Sequence, residues 1–543
     1  MSQRAVMAPT GRASSRGWPA ARVAFGLLLL LAALALPDRP AGVGSVRFPV
    51  EWFWIAGLLA LARGRVFALL TALLLALVAA ITVLRLADWG TLLAFSRPFD
   101  PVVDRSILVA GWHLLSGTIG DGRALLAIGA ALAAFAAGVA LLSYGLAGLR
   151  RLGIRARKQL AGAALAAGLA ATGLLLVTPA ALPLSAGFSS YAGAKFAAAR
   201  RSYAAQAEFA REMAVDPLED ARPDALLSAL QGHDVLLVFV ESYGRSALEN
   251  PLLAPRTLSR LQSVETELAA AGVSARSGWM GSPIAGGQSW LAHGTILSGL
   301  LVDNQIRYES LIGSDRESLN ALFREAGWRT VAVMPAITMP WPEARWFGYD
   351  EVLAAKDLGY RGLPFNWVTM PDQFTLHRIG EILDRSAQPV MLQTALISSH
   401  APWTPIPHMV PWETVGDGRV FDEQARSGEA PEVLWRNHDR VRENYGLSID
   451  YALEAVGSFV ARFARSAVVV VVGDHQPAEL VTGPGASRDV PVHVLSNDPD
   501  ILRRLDGWGW TDGMIPAANA TSVPMSAFRE RFVRAMSGAG GAT

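Results

Sequence analysis

The sequence predicts a fold in two parts: an N-terminal α-helical membrane domain, then an α/β domain whose mostly parallel sheet is covered by helices on both faces. Composition is the first reason, because 51% of the 543 residues are hydrophobic and only 17% are charged, whereas ordinary soluble domains have about 25% charged residues. The apolar excess lies in the first 185 residues. The second reason is the pattern after residue 230, where strand-like and helix-like segments alternate as they do in parallel sheets.

The N-terminal part contains apolar segments that predict about five transmembrane helices. They are residues 23–36, 49–62, 66–86, 124–148 and 160–182. The last three are near or above the ~20 residues that a helix needs to cross a bilayer. The first two are shorter, and the first, after its basic leader, also fits the apolar core of a signal peptide. The sequence ALALPDRP is a poor cleavage site and further spans follow, which favours an uncleaved first helix.

Arginine and lysine in the short loops predict the orientation of these helices. With five spans, the basic leader, the turn with Arg63 and Arg65, and the turn Arg150–Lys158 all fall on the cytoplasmic side, as the positive-inside rule requires. A count of four or six would place a basic cluster on the wrong side. Everything after residue 185 is therefore expected outside the cytoplasm.

The expected domain organisation follows from these patterns. It comprises a cytoplasmic basic leader (1–22), a transmembrane domain (23–185), a juxtamembrane helix and linker (186–229), an extracytoplasmic α/β domain (230–530) and a flexible tail (531–543). Residues 191–214 have a mildly amphipathic helical pattern, which fits either a helix on the membrane surface or a solvated connecting helix. Prolines and acids between Asp216 and Asp224 mark the domain boundary.

The α/β domain is predicted from five strand-like segments. They are Asp234–Val240, Thr330–Met334, Val390–Ile397, Ala467–Val472 and Val490–Leu495. The helix-like segments between them are Leu258–Ala271, Glu317–Ala326, Gln373–Asp384 and a long one from about Asn437 to Ala464. Five consecutive valines, Val468–Val472, contain no polar residue, which is typical of a central strand buried on both faces.

Polar side chains follow three of the predicted strands. Asp474 and His475 come after the valine run, Glu241 follows Val240, and His400 follows Val390–Ile397. Ligands bind outside the carboxyl ends of strands in open α/β sheets, and a carboxylate with an imidazole suits zinc or manganese better than calcium or magnesium. Alone, each residue has a simpler explanation as a turn, a helix cap or a packed loop histidine. Together, they predict a metal site.

Ser289 supplies a hydroxyl for the same edge of the sheet. It follows two glycines in GGQSWLAHG (286–294), the pattern of a serine at the start of a helix, where backbone N–H groups face an anion. A simple helix cap is the alternative. If the strand ends converge, Glu241, Asp474 and His475 would bind one metal with the Ser289 oxygen as fourth ligand.

Composition also excludes several classes of function. The chain has no cysteine, so disulfides, thiolate metal sites, cysteine nucleophiles and formylglycine made from cysteine are excluded. The formal net charge is +1, so the charge of the whole chain does not indicate nucleic acid binding.

These motifs resemble a known family. A strand followed by Glu, a Gly-rich loop with a hydroxyl residue, Ser-His-Ala-Pro, and a strand followed by Gly-Asp-His occur in this order, as in the sulfatase-like branch of the alkaline phosphatase superfamily. The chain is more closely similar to membrane phosphoethanolamine and phosphoglycerol transferases, including lipoteichoic acid synthase, which also carry about five spans before an exported domain. The resemblance implies a sulfatase-like (alkaline phosphatase-like) α/β fold and a multi-pass protein of a bacterial inner (cytoplasmic) membrane, with its catalytic domain in the periplasm or outside the cell.

Carried over by position, the resemblance implies roles for single residues. Glu241, Asp474 and His475 would bind the metal, Zn²⁺ or Mn²⁺, and Ser289 would be both ligand and nucleophile. His400 would bind the substrate phosphate or assist the leaving group.

Two departures from the family pattern bear on the site. The family nucleophile is commonly Thr, and Ser289 takes that place here, with Thr295 as the alternative. The substrate contacts do not align cleanly. Candidates for them are Trp341, Arg345 and Trp346, and candidates for a second metal or phosphate site are His408 and His493.

The function implied by the resemblance is transfer of a phosphoethanolamine or phosphoglycerol headgroup. The donor would be a phospholipid, the acceptor an extracytoplasmic glycan or glycolipid, and the intermediate a covalent phospho-serine. A phosphodiesterase or phosphatase of the same superfamily and a non-catalytic membrane binding protein remain open. Sulfate ester hydrolysis is disfavoured, because the sulfatase nucleophile lies in a Cys/Ser-x-Pro-x-Arg context whereas Trp-Leu-Ala-His follows Ser289.

Overall fold

The computed structural model describes residues 17–38, 47–178, 183–219, 225–464 and 466–538. Most of the predicted leader, the end of the predicted tail and part of the boundary run 216–224 lie outside these residues. The described chain forms two compact units. The first contains residues up to Leu92 with Arg97–Tyr203, and the second contains Leu93–Ser96 with the residues from Ala204 onward.

The first unit is helical. Its helices are α1 (Gly17–Leu34), α2 (Glu51–Leu61), α3 (Gly64–Phe95), α4 (Arg105–Ile119), α5 (Asp121–Ala147), α6 (Ile154–Val177) and α7 (Gly187–Met213), the last of which continues into the second unit. Two short parallel strands, β1 (Phe48–Pro49) and β2 (Leu184–Ser185), pair with each other. The segment between the third and fourth predicted spans contains the end of α3 and all of α4.

Three helical segments among the described residues are long and apolar enough to cross a membrane. They are Gly64–Phe95, Asp121–Arg151 and Ile154–Val177. The first two predicted spans correspond to α1 and α2, whose apolar lengths are shorter. Three of the five predicted spans therefore have the length of a bilayer crossing, and the total of five stays a prediction.

Buried polar groups fix the start of α7 in the first unit. Asp88 on α3 is 3% exposed and accepts hydrogen bonds from Tyr191 Oη and Lys195 Nζ, both at 2.6 Å. Tyr191 is itself buried, whereas Phe196 and Tyr203, farther along α7, are each 69% exposed. The first turns of α7 are thus packed rather than solvated, and the exposed aromatic side chains lie beyond them.

The second unit has α/β architecture. Its strands are β3 (Val235–Val240), β4 (Ser274–Gly281), β5 (Arg329–Met334), β6 (Glu351–Ala354), β7 (Val390–Leu396), β8 (Val468–Gly473), β9 (Asp489–Ser496), β10 (Thr511–Asp512) and β11 (Val523–Pro524). Its longer helices are α9 (Ala254–Ala270), α10 (Ser289–Ser298), α11 (Gln305–Ile312), α14 (Asp372–Arg385), α17 (His438–Phe463) and α20 (Phe528–Met536). The shorter ones are α8 (Ser246–Glu249), α12 (Leu319–Glu325), α13 (Ala344–Phe347), α15 (Asp422–Arg426), α16 (Pro431–Leu434), α18 (Glu479–Thr482) and α19 (Pro499–Arg503).

These nine strands of the described chain form one mixed sheet, in the order β10-β4-β9-β8-β3-β7-β5-β6, with β11 on β4. Strands β8, β3, β7, β5 and β6 are parallel to one another. Strand β9 is antiparallel to β8, and β4 is antiparallel to β9. A parallel return needs a crossover of a dozen or more residues, usually a helix, and the segment between β8 and β9 contains only the one-turn α18. The sheet is therefore mixed rather than mostly parallel on this side.

The two central strands are buried on both faces, as the valine run predicts. Every residue of β3 and β8 is buried, and full burial of one such apolar side chain stabilises the fold by about 1.5 to 3 kcal/mol. Val238 faces a core that includes Leu261 and Ile449 of α9 and α17. Phe239 faces the opposite core, which includes Leu291 of α10. Helices thus cover both faces of the sheet.

The last described residues are helical rather than a tail from residue 531. Phe528, Phe532, Val533 and Met536 recur at helical spacing in α20 and are buried. Residues 531–536 of the predicted tail are therefore helical and packed against the second unit.

A buried ion pair joins the end of the predicted linker to the rest of the second unit. Arg529 is fully buried, and its two Nη atoms donate to both oxygens of Asp216 at 2.8 Å. Burial alone would raise the pKa of Asp216, but the hydrogen bonds and charge of Arg529 outweigh it and lower that pKa. The pair therefore stabilises the fold above the unfolded-state pKa of about 3.9, and this contribution is lost as the pH falls through the lower folded-state pKa.

We expect Asp216→Ala to destabilise the second unit by about 3 to 5 kcal/mol at neutral pH, because it leaves the buried Arg529 without a counter-charge. Thermal unfolding of the detergent-solubilised protein measures the effect. Glu249→Gln is the control, since Glu249 is 43% exposed in its pair with Arg245, and such pairs contribute at most about 1 kcal/mol. An Asp216→Ala protein that unfolds like wild type would contradict the prediction.

Candidate active site

The candidate residues meet at one edge of the sheet because three neighbouring strands end there. Strand β3 lies between β7 and β8 and is parallel to both. In register, Val240 of β3 faces Leu396 on one side and Gly473 on the other. The residues after these three strands therefore share the carboxyl edge, where ligands bind in open α/β sheets.

The turn after β8 requires a glycine. A Cβ atom at Gly473 would lie 1.8 Å from the Tyr243 carbonyl oxygen, so no side chain fits there. The close approach brings the two strand ends together, and the Ser242 N–H donates to Asp474 Oδ1 at 2.8 Å. Ser242 also donates its hydroxyl to Glu241 Oε1 at 2.8 Å. Its φ of +57° is unfavourable for a serine, a kind of strain that concentrates at functional sites.

Ser289 is the first residue of α10. The three residues before it, Gly286, Gly287 and Gln288, all have positive φ values, and the glycines adopt them at little cost. This turn directs Ser289 Oγ at the strand ends, where it donates to Glu241 Oε2 at 2.9 Å and lies 3.2 Å from His475 Nε2.

A hydrogen bond at Nδ1 orients the imidazole of His475. His475 Nδ1 lies 2.8 Å from the Gln476 carbonyl oxygen, and donation of an Nδ1 proton to that oxygen leaves Nε2 facing the site. His475 Nε2 lies 3.3 Å from Glu241 Oε1 and 3.9 Å from Asp474 Oδ1. The ring therefore has the backbone support that metal-binding histidines usually have.

Glu241, Asp474 and His475 form a buried cluster with ligand atoms within 4.8 Å of one another. Burial and the charge of Glu241 raise the pKa of Asp474 to about 7. Burial would also raise the pKa of Glu241, but His475 outweighs it and holds that pKa well below its usual range. Burial lowers the pKa of His475, yet the two carboxylates outweigh it and raise it to about 9. Without a cation, protons bound by Asp474 and His475 thus offset the negative charge of the cluster.

A divalent cation fits this cluster. Two carboxylates, one imidazole and the hydroxyl of Ser289 offer four donors of the kinds that zinc and manganese accept. Metal binding would replace the protons that the cluster otherwise holds. The residues present therefore match a metal site in number, type and burial.

His400 is exposed and lies in the turn after β7, at the same edge of the sheet. Its Nδ1 is 2.6 Å from the Ala401 carbonyl oxygen, and its charge contributes to the low pKa of Glu241. It is thus within electrostatic reach of the cluster and accessible to a substrate.

Two other candidate residues are buried away from a substrate. His493 is fully buried in β9, with Nδ1 2.7 Å from Ser277 Oγ and Nε2 3.2 Å from Tyr243 Oη. Thr295 is fully buried in α10 and donates to the Leu291 carbonyl oxygen. Neither has the surface that a contact with substrate requires.

The remaining candidates lie elsewhere in the second unit, Trp341 and His408 outside regular elements and Arg345 and Trp346 in α13. Trp341 packs against Phe347, with ring centroids 5.3 Å apart, and Arg345 and Trp346 line a cavity of about 530 Å³. His408 lines a separate cavity of about 330 Å³. Among the described residues, none of these candidates forms a hydrogen bond or ion pair with the metal cluster or with Ser289. Their contact with substrate remains a proposal.

The sequence reasoning missed the residues that support the cluster. Ser242 contacts both carboxylates, Ser282 Oγ donates to the Asp474 carbonyl oxygen at 2.7 Å, and Ser399 Oγ donates to the Glu241 carbonyl oxygen at 2.6 Å. The Gln476 carbonyl oxygen accepts from Gly286 N at 2.8 Å. Ser242, Gln476 and Ser399 had a signal, because each lies next to a predicted site residue, and Ser399 is also the serine of the Ser-His-Ala-Pro motif. Ser282 resembles any other loop serine in sequence.

Comparison with known proteins gives one family match. Residues 233–487 match the family model described as Sulfatase. No curated protein matches the chain. Among solved structures, the chain is similar to the integral membrane lipooligosaccharide phosphoethanolamine transferase A (EptA) from Neisseria meningitidis, at 15% identity over 96% of this chain and 95% of that chain, with a TM-score of 0.43.

Two further similar structures match 58% and 50% of this chain. The C-terminal periplasmic domain of EcEptC from Escherichia coli in complex with Zn is 14% identical over 58% of this chain and 84% of that chain, with a TM-score of 0.36. The lipoteichoic acid synthase LtaP from Listeria monocytogenes is 14% identical over 50% of this chain, and the match spans 66% of that chain, just under two thirds, with a TM-score of 0.36. At these TM-scores the likeness does not bear on function.

Proposed function

We propose that this chain, whose residues 233–487 match the family model described as Sulfatase, is a membrane-anchored, metal-dependent phosphotransferase of the alkaline phosphatase superfamily. It moves a phosphoethanolamine or phosphoglycerol headgroup from a phospholipid to an extracytoplasmic glycan or glycolipid. The observation that carries the proposal is the hydroxyl of Ser289, which lies 2.9 Å from Glu241 and 3.2 Å from His475 in a buried metal-type cluster. The three helices that are long and apolar enough to cross a membrane support a lipid donor.

Glu241, Asp474, His475 and the Ser289 oxygen would hold the metal. A bound divalent cation would lower the pKa of the serine hydroxyl and offset negative charge on the phosphoryl oxygens. The hydrogen bond from Ser289 to Glu241 Oε2 orients the hydroxyl. The Nδ1 contact of His475 keeps its Nε2 directed at the same oxygen.

In the first half-reaction, Ser289 Oγ gives its proton to Glu241 Oε2, which accepts its hydrogen bond, and attacks the phosphorus of the donor phosphodiester. A new Oγ–P bond forms, the bond from phosphorus to the diacylglycerol oxygen breaks, and His400 in its protonated form supplies a proton to that departing oxygen. In the second half-reaction, His400 takes the proton of an acceptor hydroxyl, which attacks the phosphorus. The Oγ–P bond then breaks, Glu241 returns the proton to Ser289 Oγ, and the headgroup phosphate is on the acceptor.

The location of the chain follows from the same proposal. The predicted five spans, with all basic clusters on the cytoplasmic side, would put the second unit outside the cytoplasmic membrane of a bacterium, where glycans and glycolipids are assembled. The three long apolar helices support a multi-pass arrangement. Zn²⁺ and Mn²⁺ are the proposed metals because of the carboxylate and imidazole donors.

Mass spectrometry of the full-length protein after incubation with a phospholipid donor tests the proposal. We expect an adduct on Ser289 with the mass of phosphoethanolamine or phosphoglycerol. It should disappear when an acceptor glycan is added, with the headgroup phosphate now on the glycan. In sealed right-side-out vesicles, acceptor supplied from outside should suffice. Release of free headgroup phosphate instead of transfer would indicate a hydrolase. Absence of any adduct or turnover with metal present would contradict an enzymatic role.

A further inference from the structure

Asp372 is a buried acid outside the metal cluster that is bonded to the end of strand β7. It is the first residue of α14 and is fully buried. Its Oδ1 accepts hydrogen bonds from the N–H groups of Ile397 and Ser398, both at 2.9 Å. Its own N–H donates to Ser398 Oγ at 2.9 Å. Three hydrogen bonds therefore fix the residues that follow β7 to the start of α14.

The second oxygen of Asp372 has no hydrogen-bond partner among the described residues, although it is buried. Leaving a buried polar atom unpaired costs about 1 to 3 kcal/mol, and more when the group is charged. Burial raises the pKa of Asp372 to about 6, against the opposing hydrogen bonds from Ser398 and Ile397. The negative charge of Glu241 raises this pKa further. An ionised aspartate at position 372 thus lowers the stability of the fold. A contribution to stability therefore does not explain why an acid is present there.

The turn that Asp372 holds leads directly to the candidate active site. Ser399 Oγ, one residue beyond Ser398, donates to the Glu241 carbonyl oxygen at 2.6 Å. His400 N donates to the Ile397 carbonyl oxygen at 3.0 Å. A displacement of this turn would therefore move the backbone of Glu241 and the imidazole of His400.

The residue after Asp372 holds the far side of the same loop. Gln373 Nε2 donates to the Val410 carbonyl oxygen at 2.6 Å, and Val410 N donates back to Gln373 Oε1 at 2.9 Å. The start of α14 thus fixes the loop 397–410 at two points.

We propose that Asp372 is a positioning residue, which holds the turn Ile397–His400 so that Ser399 fixes Glu241 and His400 faces the phosphoryl group. The effect through Glu241 is independent of the reaction. The effect through His400 rests on the proposed function. These two routes allow two separate tests.

The first test measures metal affinity without turnover. Titration calorimetry of the full-length protein with Zn²⁺ should show about tenfold weaker binding for Asp372→Ala at unchanged stoichiometry, the lower end of what loss of outer support costs a metal site. Ser399→Ala should weaken binding similarly, and the double variant should be no worse than either single variant, because both act through one contact. The control is Asp439→Ala, the same change in the first turn of α17, where the side chain is 86% exposed.

The second test uses transfer kinetics. Asp372→Ala should lower kcat about tenfold with little change in KM for the donor lipid, and it should have no further effect in a protein that already carries His400→Ala.

Two results would overturn the inference. One is wild-type metal affinity in both Asp372→Ala and Ser399→Ala, whatever their melting temperatures, since a purely structural role lowers stability but not the affinity of the folded fraction. The other is full additivity of Asp372→Ala with Ser399→Ala. If the wild-type protein binds Zn²⁺ but acts on no phosphodiester, the proposed function fails, while the calorimetry still decides the role of Asp372. If Asp372→Ala does not fold, the affinity of Ser399→Ala decides it.

Discussion

Ser289→Ala is expected to lower headgroup transfer by about 10⁴-fold to 10⁶-fold, the range seen when a nucleophile is removed from an enzyme that forms a covalent intermediate. The reason is geometric, because the Ser289 hydroxyl is the group directed at both Glu241 and His475. Initial rates of transfer from labelled phospholipid to an acceptor glycan measure the loss. The variant should fold normally, since the alanine is compatible with the first turn of a helix.

Two variants make this result specific. Ser289→Thr keeps a hydroxyl at the same position and should retain measurable transfer. Thr295→Ala should also retain transfer, because Thr295 is fully buried and bonded within α10. It should lose only about 1 kcal/mol of stability for the hydrogen bond. Full activity of Ser289→Ala, or complete inactivity of Thr295→Ala with a wild-type melting temperature, would refute the assignment of the nucleophile.

Asp474→Asn is expected to abolish the stabilisation of the fold by metal and to lower transfer to the level of Ser289→Ala. Asparagine keeps an oxygen that can accept from Ser242 N, but it removes one of the two charges that a cation would neutralise. In the wild-type protein, metal at about a thousandfold excess over its Kd should stabilise the fold by about 4 kcal/mol. We expect no such gain in the variant.

Thermal unfolding with EDTA, and then with Zn²⁺ or Mn²⁺ restored, measures this difference. Removal of metal from the wild-type protein should also abolish transfer, and restoration should return it. Asp384→Asn is a matched control on the exposed surface of α14. A melting temperature of Asp474→Asn that rises with metal as much as that of the wild type would contradict the predicted ligand.

The central strands could be predicted because their signal is local. The valine run became β8 and Asp234–Val240 became β3, both buried on each face, since a segment without polar residues has no stable exposed orientation. The strands β4 and β6 were missed. Strand β4, SARSGWMG, is interrupted by polar residues and glycines, and β6 is only four residues long at the edge of the sheet. Their pairing with β9 and β5 supplies a stabilisation that no local pattern records.

The residues that could form the site were predictable from local motifs: Glu241, Ser289, Asp474 and His475 each lie at a strand end or a glycine turn, with apolar helices before them. The three-dimensional fold was needed to see that β3 lies between β7 and β8, that β9 returns antiparallel, and that Ser399 contacts Glu241 while Asp372 contacts the turn after β7. The difference arises from the sequence separation of the interacting residues. Periodicity and turn chemistry act between neighbours in sequence, whereas strand order and the hydrogen bonds of supporting side chains join residues more than a hundred positions apart.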